Sequence, residues 1–198
     1  MGTLPANFIV GIGGSAGALD AYKALLNVMP PKTGMAFVII SHMNPTAISQ
    51  LAQILSRHTK MNVIVPNEGM SIQRNHVYVI PPNADLSVVN NAFKIITPRI
   101  LRNNQVDLFF TSIAEAFGPQ AIGIVFSGYD GDGTEGCKQI KAKGGITFAQ
   151  DDSAEVNHMP LTAQDSGWVD FVLSPGKIPE KLLKLATDFE NNGKKAKL

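Results

Sequence analysis

Three separated stretches of the sequence carry side chains whose types fit together as a reactive set. Ser15 sits in a glycine-rich turn, GIGGSAG (11–17), His42 follows an apolar run in SHM (41–43), and Asp130 and Asp132 lie in a second glycine-rich stretch, SGYDGDGTEG (127–136). A serine, a histidine and an aspartate are the parts of a nucleophile, a general base and an acid that orients the base. Their chain order differs from that of the α/β-hydrolases, but such triads are defined by geometry and not by order. The first turn supports two other uses. Its glycines would let a dinucleotide pyrophosphate approach a helix N-terminus, or the turn simply joins a strand to a helix without chemistry. The nucleotide reading asks for an acidic residue at the end of the second strand, where Ser41 and His42 stand, and no lysine follows the glycines as a phosphate-binding loop requires. Taken singly, Ser15 reads as a turn serine, His42 as a histidine satisfied at a strand end and Asp132 as a turn aspartate. On the residues alone, hydrolase, nucleotide site and non-catalytic α/β binding module all stay open, with the hydrolase in front.

The elements that must position these residues follow from periodicity. Phe8–Val10 and Met35–Ile40 are apolar on both faces, the pattern of parallel strands sandwiched between helices, and Leu19, Tyr22, Leu25, Leu26 and Met29 recur between them at helical spacing. Asn44 and Pro45 are suited to start a second helix carrying Ile48, Leu51, Ile54, Leu55 and His58 on one face. Short strands are expected over Asn62–Pro66 and His76–Ile80, and a β-hairpin over Leu86–Val89 and Ala92–Thr97 around Asn90-Asn91, forming an antiparallel edge. An amphipathic helix with Val106, Phe109, Phe110, Ile113 and Phe117 ends at Gly118, and Ala121–Phe126 is a buried strand feeding the second glycine loop. A helix over Thr134–Lys143, a strand over Ile146–Ala149, a short helix from Pro160, a strand over Trp168–Leu173 and a helix over Ile178–Phe189 complete the pattern. The expected fold is one doubly wound three-layer α/β/α domain over 8–189, with a leader at 1–7 and a flexible polar tail at 190–198. In such sheets ligands bind outside the carboxyl ends of the strands, where Ser15, His42 and the two aspartates fall.

Composition narrows the class. The chain has 198 residues, 44% apolar and 17% charged, with a net charge of +1, which suits a globular domain and lends no support to nucleic-acid or membrane-surface binding. The single cysteine, Cys137, excludes an internal disulfide framework and a cysteine-built zinc site. No apolar run approaches membrane-spanning length and no signal segment is visible at the N-terminus, so a cytoplasmic location without membrane insertion is expected.

Taken together, GIGGSAGALDA, SHMNP, HVYVIPP, VDLFFTSIAEAFG, AIGIVFSGYDGDGTEG and FAQDDSAEVNHMP resemble the catalytic domain of the CheB protein-glutamate methylesterases, and most closely the version fused to the CheR methyltransferase. The resemblance runs from about Phe8 to about Leu185. It implies a serine hydrolase that demethylates glutamate 5-O-methyl esters on chemoreceptors, releasing methanol, with deamidation of receptor glutamines as a second activity. It also implies no metal and no cofactor. Ser15 becomes the nucleophile, His42 the base and Asp132 the orienting acid, with Ala16, Gly17, Tyr129 and Asp130 around the oxyanion and substrate. Ala16 stands where many members carry threonine, Tyr129 where they carry methionine, Asp130 where they carry glycine, and Thr111 and Leu161 where arginine is common. These departures bear on substrate preference. Expected partners are a methylated chemoreceptor or receptor-like protein and, in the same pathway, a methyltransferase or a receiver domain. A regulatory α/β module in chemotaxis-like signalling is the alternative.

Overall fold

The computed structural model describes residues 6–42, 50–100 and 102–195. Its centre is a seven-stranded sheet, parallel in every pairing. In chain order the strands are β1 (Phe8–Gly14), β2 (Met35–Ser41), β3 (Asn62–Ile64), β4 (His76–Val79), β7 (Ala121–Val125), β8 (Ile146–Gln150) and β9 (Phe171–Leu173). Their order in space is β3-β4-β2-β1-β7-β8-β9. The chain winds outward from β1 to one edge and then returns beside β1 as β7, so the switch point of the sheet lies between β1 and β7. Every residue of β1 and β7 is buried, which is why these strands read as continuous apolar runs.

Alternate residues feed two cores. Val10, Ile12, Phe37 and Ile39 face α1 (Ala18–Val28), through Tyr22, Leu25 and Leu26, together with Leu182 of α6 (Ile178–Lys195). Ile9, Val38, Ile40 and Val125 face α3 (Gln105–Phe117), through Phe109, Phe110 and Ile113, and Ile140 of α4 (Thr134–Ala142). Burying each of these large side chains contributes about 2 kcal/mol. Gly11 of β1 and Gly123 of β7 are register partners, and a Cβ on either would meet the Phe110 ring at 2.8 and 2.9 Å. The two glycines therefore let α3 settle close on the sheet at the switch point.

The hairpin is present as β5 (Asp85–Val89) and β6 (Ala92–Ile96), turning through Asn90 and Asn91 at φ 51° and 60°. It stands as a two-stranded sheet of its own, with Leu86, Val88 and Phe93 in the same core as Phe109 of α3, and does not extend the main sheet. Several boundaries differ from expectation. The second helix is described as α2 (Leu51–Leu55), while its expected start at Asn44, Pro45 and Ile48 lies outside the described residues. The strands β3 and β9 span three residues each, shorter than their apolar runs. The helix α5 (His158–Asp165) begins two residues before Pro160, and α6 runs beyond Phe189 to Lys195. Proline fits the first turn of a helix as well as its first position, since none of those N–H groups has an intrahelical acceptor.

Candidate active site

The strand ends at the switch point build the site. Gly14 of β1 is paired with Ser41 of β2, so Ser15 and His42 leave adjacent strands side by side, and the His42 N–H donates to the Gly14 carbonyl at 3.1 Å. On the other flank of β1, the Ser15 N–H donates to the Ser127 carbonyl just past β7 at 2.8 Å. Ser15 is thus held at the end of the central strand, between the histidine's strand and the acidic loop.

The acidic loop reaches across β1. Asp132 has a fully buried side chain, and His42 Nε2 donates to its Oδ2 at 2.7 Å. The same carboxylate caps α3, accepting the Val106 N–H on Oδ2 at 2.9 Å and the Asp107 N–H on Oδ1 at 2.8 Å. Helix N-termini present free N–H groups and positive charge, so this end of α3 is a natural seat for a carboxylate. Asp107 repeats the device one helix further on: its Oδ1 accepts the N–H groups of Gly133 and Gly136, at 2.9 and 2.7 Å, at the start of α4. Burial pushes the Asp107 carboxyl up to about 6. The Gly136 N–H pulls against that rise, the Asp132 charge adds to it, and the Gly133 N–H opposes it.

Asp130 takes the other side of the imidazole, with its Oδ2 3.2 Å from His42 Nδ1. Burial alone would lower the basicity of His42, but contacts with the Asp130 and Asp132 carboxylates overrule it and raise the pKa to about 9. Burial would in turn raise the Asp130 carboxyl, and the facing imidazole holds it below the ordinary range.

Behind the elbow, the buried Ser127 hydroxyl donates to the Ala16 carbonyl at 2.7 Å and accepts the Val156 N–H at 2.9 Å, and the Ser127 N–H donates to Gln150 Oε1 at 3.1 Å. Gly17 has φ +73°, and a Cβ there would meet Ser127 Oγ at 2.6 Å and the Glu155 Cβ at 2.8 Å. Only glycine fits that turn. The Ser15 N–H is spent on Ser127 and is not available to an oxyanion.

Ser15, His42, Asp130 and Asp132 are therefore brought to one place, and Tyr129 lies at its rim, 72% exposed. The other described histidines are elsewhere engaged or exposed: His58 contacts Asn27 Oδ1, His76 contacts the Arg74 carbonyl at the opposite end of its strand, and His158 is exposed. Cys137 is buried in α4, which pushes its thiol up and away from reactivity. Sequence reasoning missed Asp107, Ser127 and Gln150. The last two had a visible sign, a polar residue closing each of the strand-like runs AIGIVFS and ITFAQ.

The family model for the CheB methylesterase matches residues 10–182. This chain belongs to the CheB methylesterase family. A protein of Leptospira interrogans, provisionally named a protein-glutamate methylesterase/protein-glutamine glutaminase, is 32% identical over 178 residues, covering 88% of this chain and 92% of its own length. The Pyrococcus horikoshii protein-glutamate methylesterase/protein-glutamine glutaminase is 29% identical over 201 residues, covering 96% of this chain. The chain spans 54% of that CheB relative's length. The crystal structure of the Thermotoga maritima CheB methylesterase catalytic domain superposes with a TM-score of 0.83 at 27% identity, covering 92% of this chain and 100% of that one. The expected three-layer fold is thereby that of a CheB catalytic domain. Among the described residues no helix is long and apolar enough to cross a membrane.

Proposed function

We propose that this domain hydrolyses glutamate 5-O-methyl esters on a methylated chemoreceptor or receptor-like protein in the cytoplasm, and that the same acyl chemistry deamidates receptor glutamines. The contact that carries the reading is His42 Nε2 on Asp132 Oδ2 at 2.7 Å, beside the strand that leads into Ser15. Neutral His42 takes the hydroxyl proton as Ser15 Oγ attacks the ester carbonyl. The tetrahedral oxyanion develops toward the Ala16 and Gly17 N–H groups. His42 returns the proton to the departing methoxide, giving methanol and a glutamyl ester of Ser15. Water, deprotonated by His42, then adds to that ester, and collapse restores Ser15 and leaves a glutamate carboxylate. Asp132 holds the imidazole and balances its charge while it carries the proton. For a glutamine side chain the leaving group is ammonia.

Methanol release from a methylated receptor by the chain and by Ser15→Ala tests the reading. The expected loss on substitution is on the order of a thousandfold or more. Equal release by the two would remove Ser15 from the chemistry.

A further inference from the structure

A triad base must offer its second nitrogen to the nucleophile, yet here both nitrogens of His42 face carboxylates. Nε2 is on Asp132 at 2.7 Å and Nδ1 is 3.2 Å from Asp130 Oδ2. Among the described residues no hydrogen bond joins Ser15 Oγ to His42. We infer that Asp130 is a positioning residue that clamps His42 in a resting arrangement, and that its carboxylate must leave Nδ1 before Ser15 can engage the base. This inference rests on the reading of Ser15 and His42 as nucleophile and base.

The two carboxylates differ in their freedom to move. The Asp132 side chain has no exposure and is tied to two backbone N–H groups of α3. Asp130 is 29% exposed, lies between Gly128 and Gly131, and beyond His42 is held by local N–H groups of its own loop, its own and that of Asp132, the latter at 3.3 Å on Oδ1. Turning Asp130 outward exchanges one partly hydrated ion pair for full hydration, a far smaller cost than extracting Asp132. When it turns, the imidazolium loses the charge that held its proton, Nδ1–H passes that proton to solvent, and the freed lone pair can accept from Ser15 Oγ.

The charged groups acting on His42 among the described residues are these two carboxylates, both on the loop after β7. Asp107 at the start of α3 acts through Asp132, the turn after β1 contributes the uncharged Ser15, and α1 reaches this end with Tyr22, whose burial keeps its phenol neutral. With both carboxylates in place His42 stays cationic up to about pH 9. The unmodified chain should therefore gain nucleophilic competence as pH rises through that value.

Asp130→Asn keeps an oxygen for the Asp132 N–H and removes the charge. The test follows the His42 imidazole by nitrogen NMR against pH, and in parallel the rate at which a fluorophosphonate modifies Ser15, in the full chain and in Asp130→Asn and Asp130→Gly. Both variants should lower the His42 midpoint by about one pH unit and speed Ser15 modification at pH 7 by about tenfold. An unchanged midpoint, or a changed melting temperature with no movement of the midpoint, would overturn the clamp. If the midpoint and modification rate move as expected while no variant releases methanol from methylated receptor, the clamp stands and the ester substrate is wrong.

Discussion

Asp132 and Asp130 stand two residues apart on one loop and meet opposite nitrogens of one imidazole, but the molecule builds around them in opposite ways. The inner region is stacked in depth: Phe110 lies on Gly11 and Gly123, α3 is drawn to the sheet, its N-terminus receives Asp132, and Asp107 passes the same service to α4. The outer lip, Gly128–Gly131, carries an exposed Tyr129 and a partly exposed Asp130 between glycines. A carboxylate anchored to a helix end can hold a base through a catalytic cycle, whereas one on a glycine lip can come and go. On the proposed reading, carboxylates of the same kind serve orientation in one place and control in the other.

The largest way to break this comparison is at the inner carboxylate. Asp132→Asn keeps the shape but can present an amide N–H to His42, favouring the wrong tautomer, and kcat/KM for methanol release should fall on the order of a thousandfold. A loss below tenfold would mean that Asp132 is no more essential than Asp130, and the distinction would collapse.

A smaller effect sharpens the inner region's own electrostatics. The Asp107 carboxyl titrates near 6 in the folded chain, above an ordinary aspartate, so the folded state binds that proton more tightly than the unfolded one. That contribution is fully present below about pH 4 and is lost as pH rises through 6. Asp107→Asn cannot lose it, so the stability margin of the parent over this variant, read as a difference in melting temperature, should shrink between pH 4.5 and 7.5. A constant margin would show that burial does not govern Asp107. Activity at its optimum should change by only a few fold, since Asp107 touches α4 and not the imidazole.

Much of the architecture is legible in the sequence because parallel strands buried on both faces must be apolar at every position, as in Met35–Ile40 and Ala121–Val125, and because glycine-rich turns follow the first strand and Ala121–Val125. The same logic places Ser15, His42 and the aspartates at strand ends before their contacts are known. Asp107 is invisible for a physical reason: an acidic residue in the first turn of an amphipathic helix is ordinary, and only the approach of α4 gives its carboxylate two N–H partners. The clamp by Asp130 is hidden likewise, since sequence spacing does not say which of two neighbouring carboxylates folds beneath a helix and which stays on the lip. The edge strand β9 is shorter than its apolar run because Asp170, just before it, turns to accept the Thr147 N–H at 2.9 Å.

The central claim, that Ser15 is a nucleophile worked by His42, is tested most directly by locating where a fluorophosphonate attaches between pH 7 and 10. The account expects one equivalent on Ser15, forming faster toward pH 9, and none in His42→Ala. Attachment at another serine such as Ser127, or equal labelling of Ser15 without His42, would contradict it.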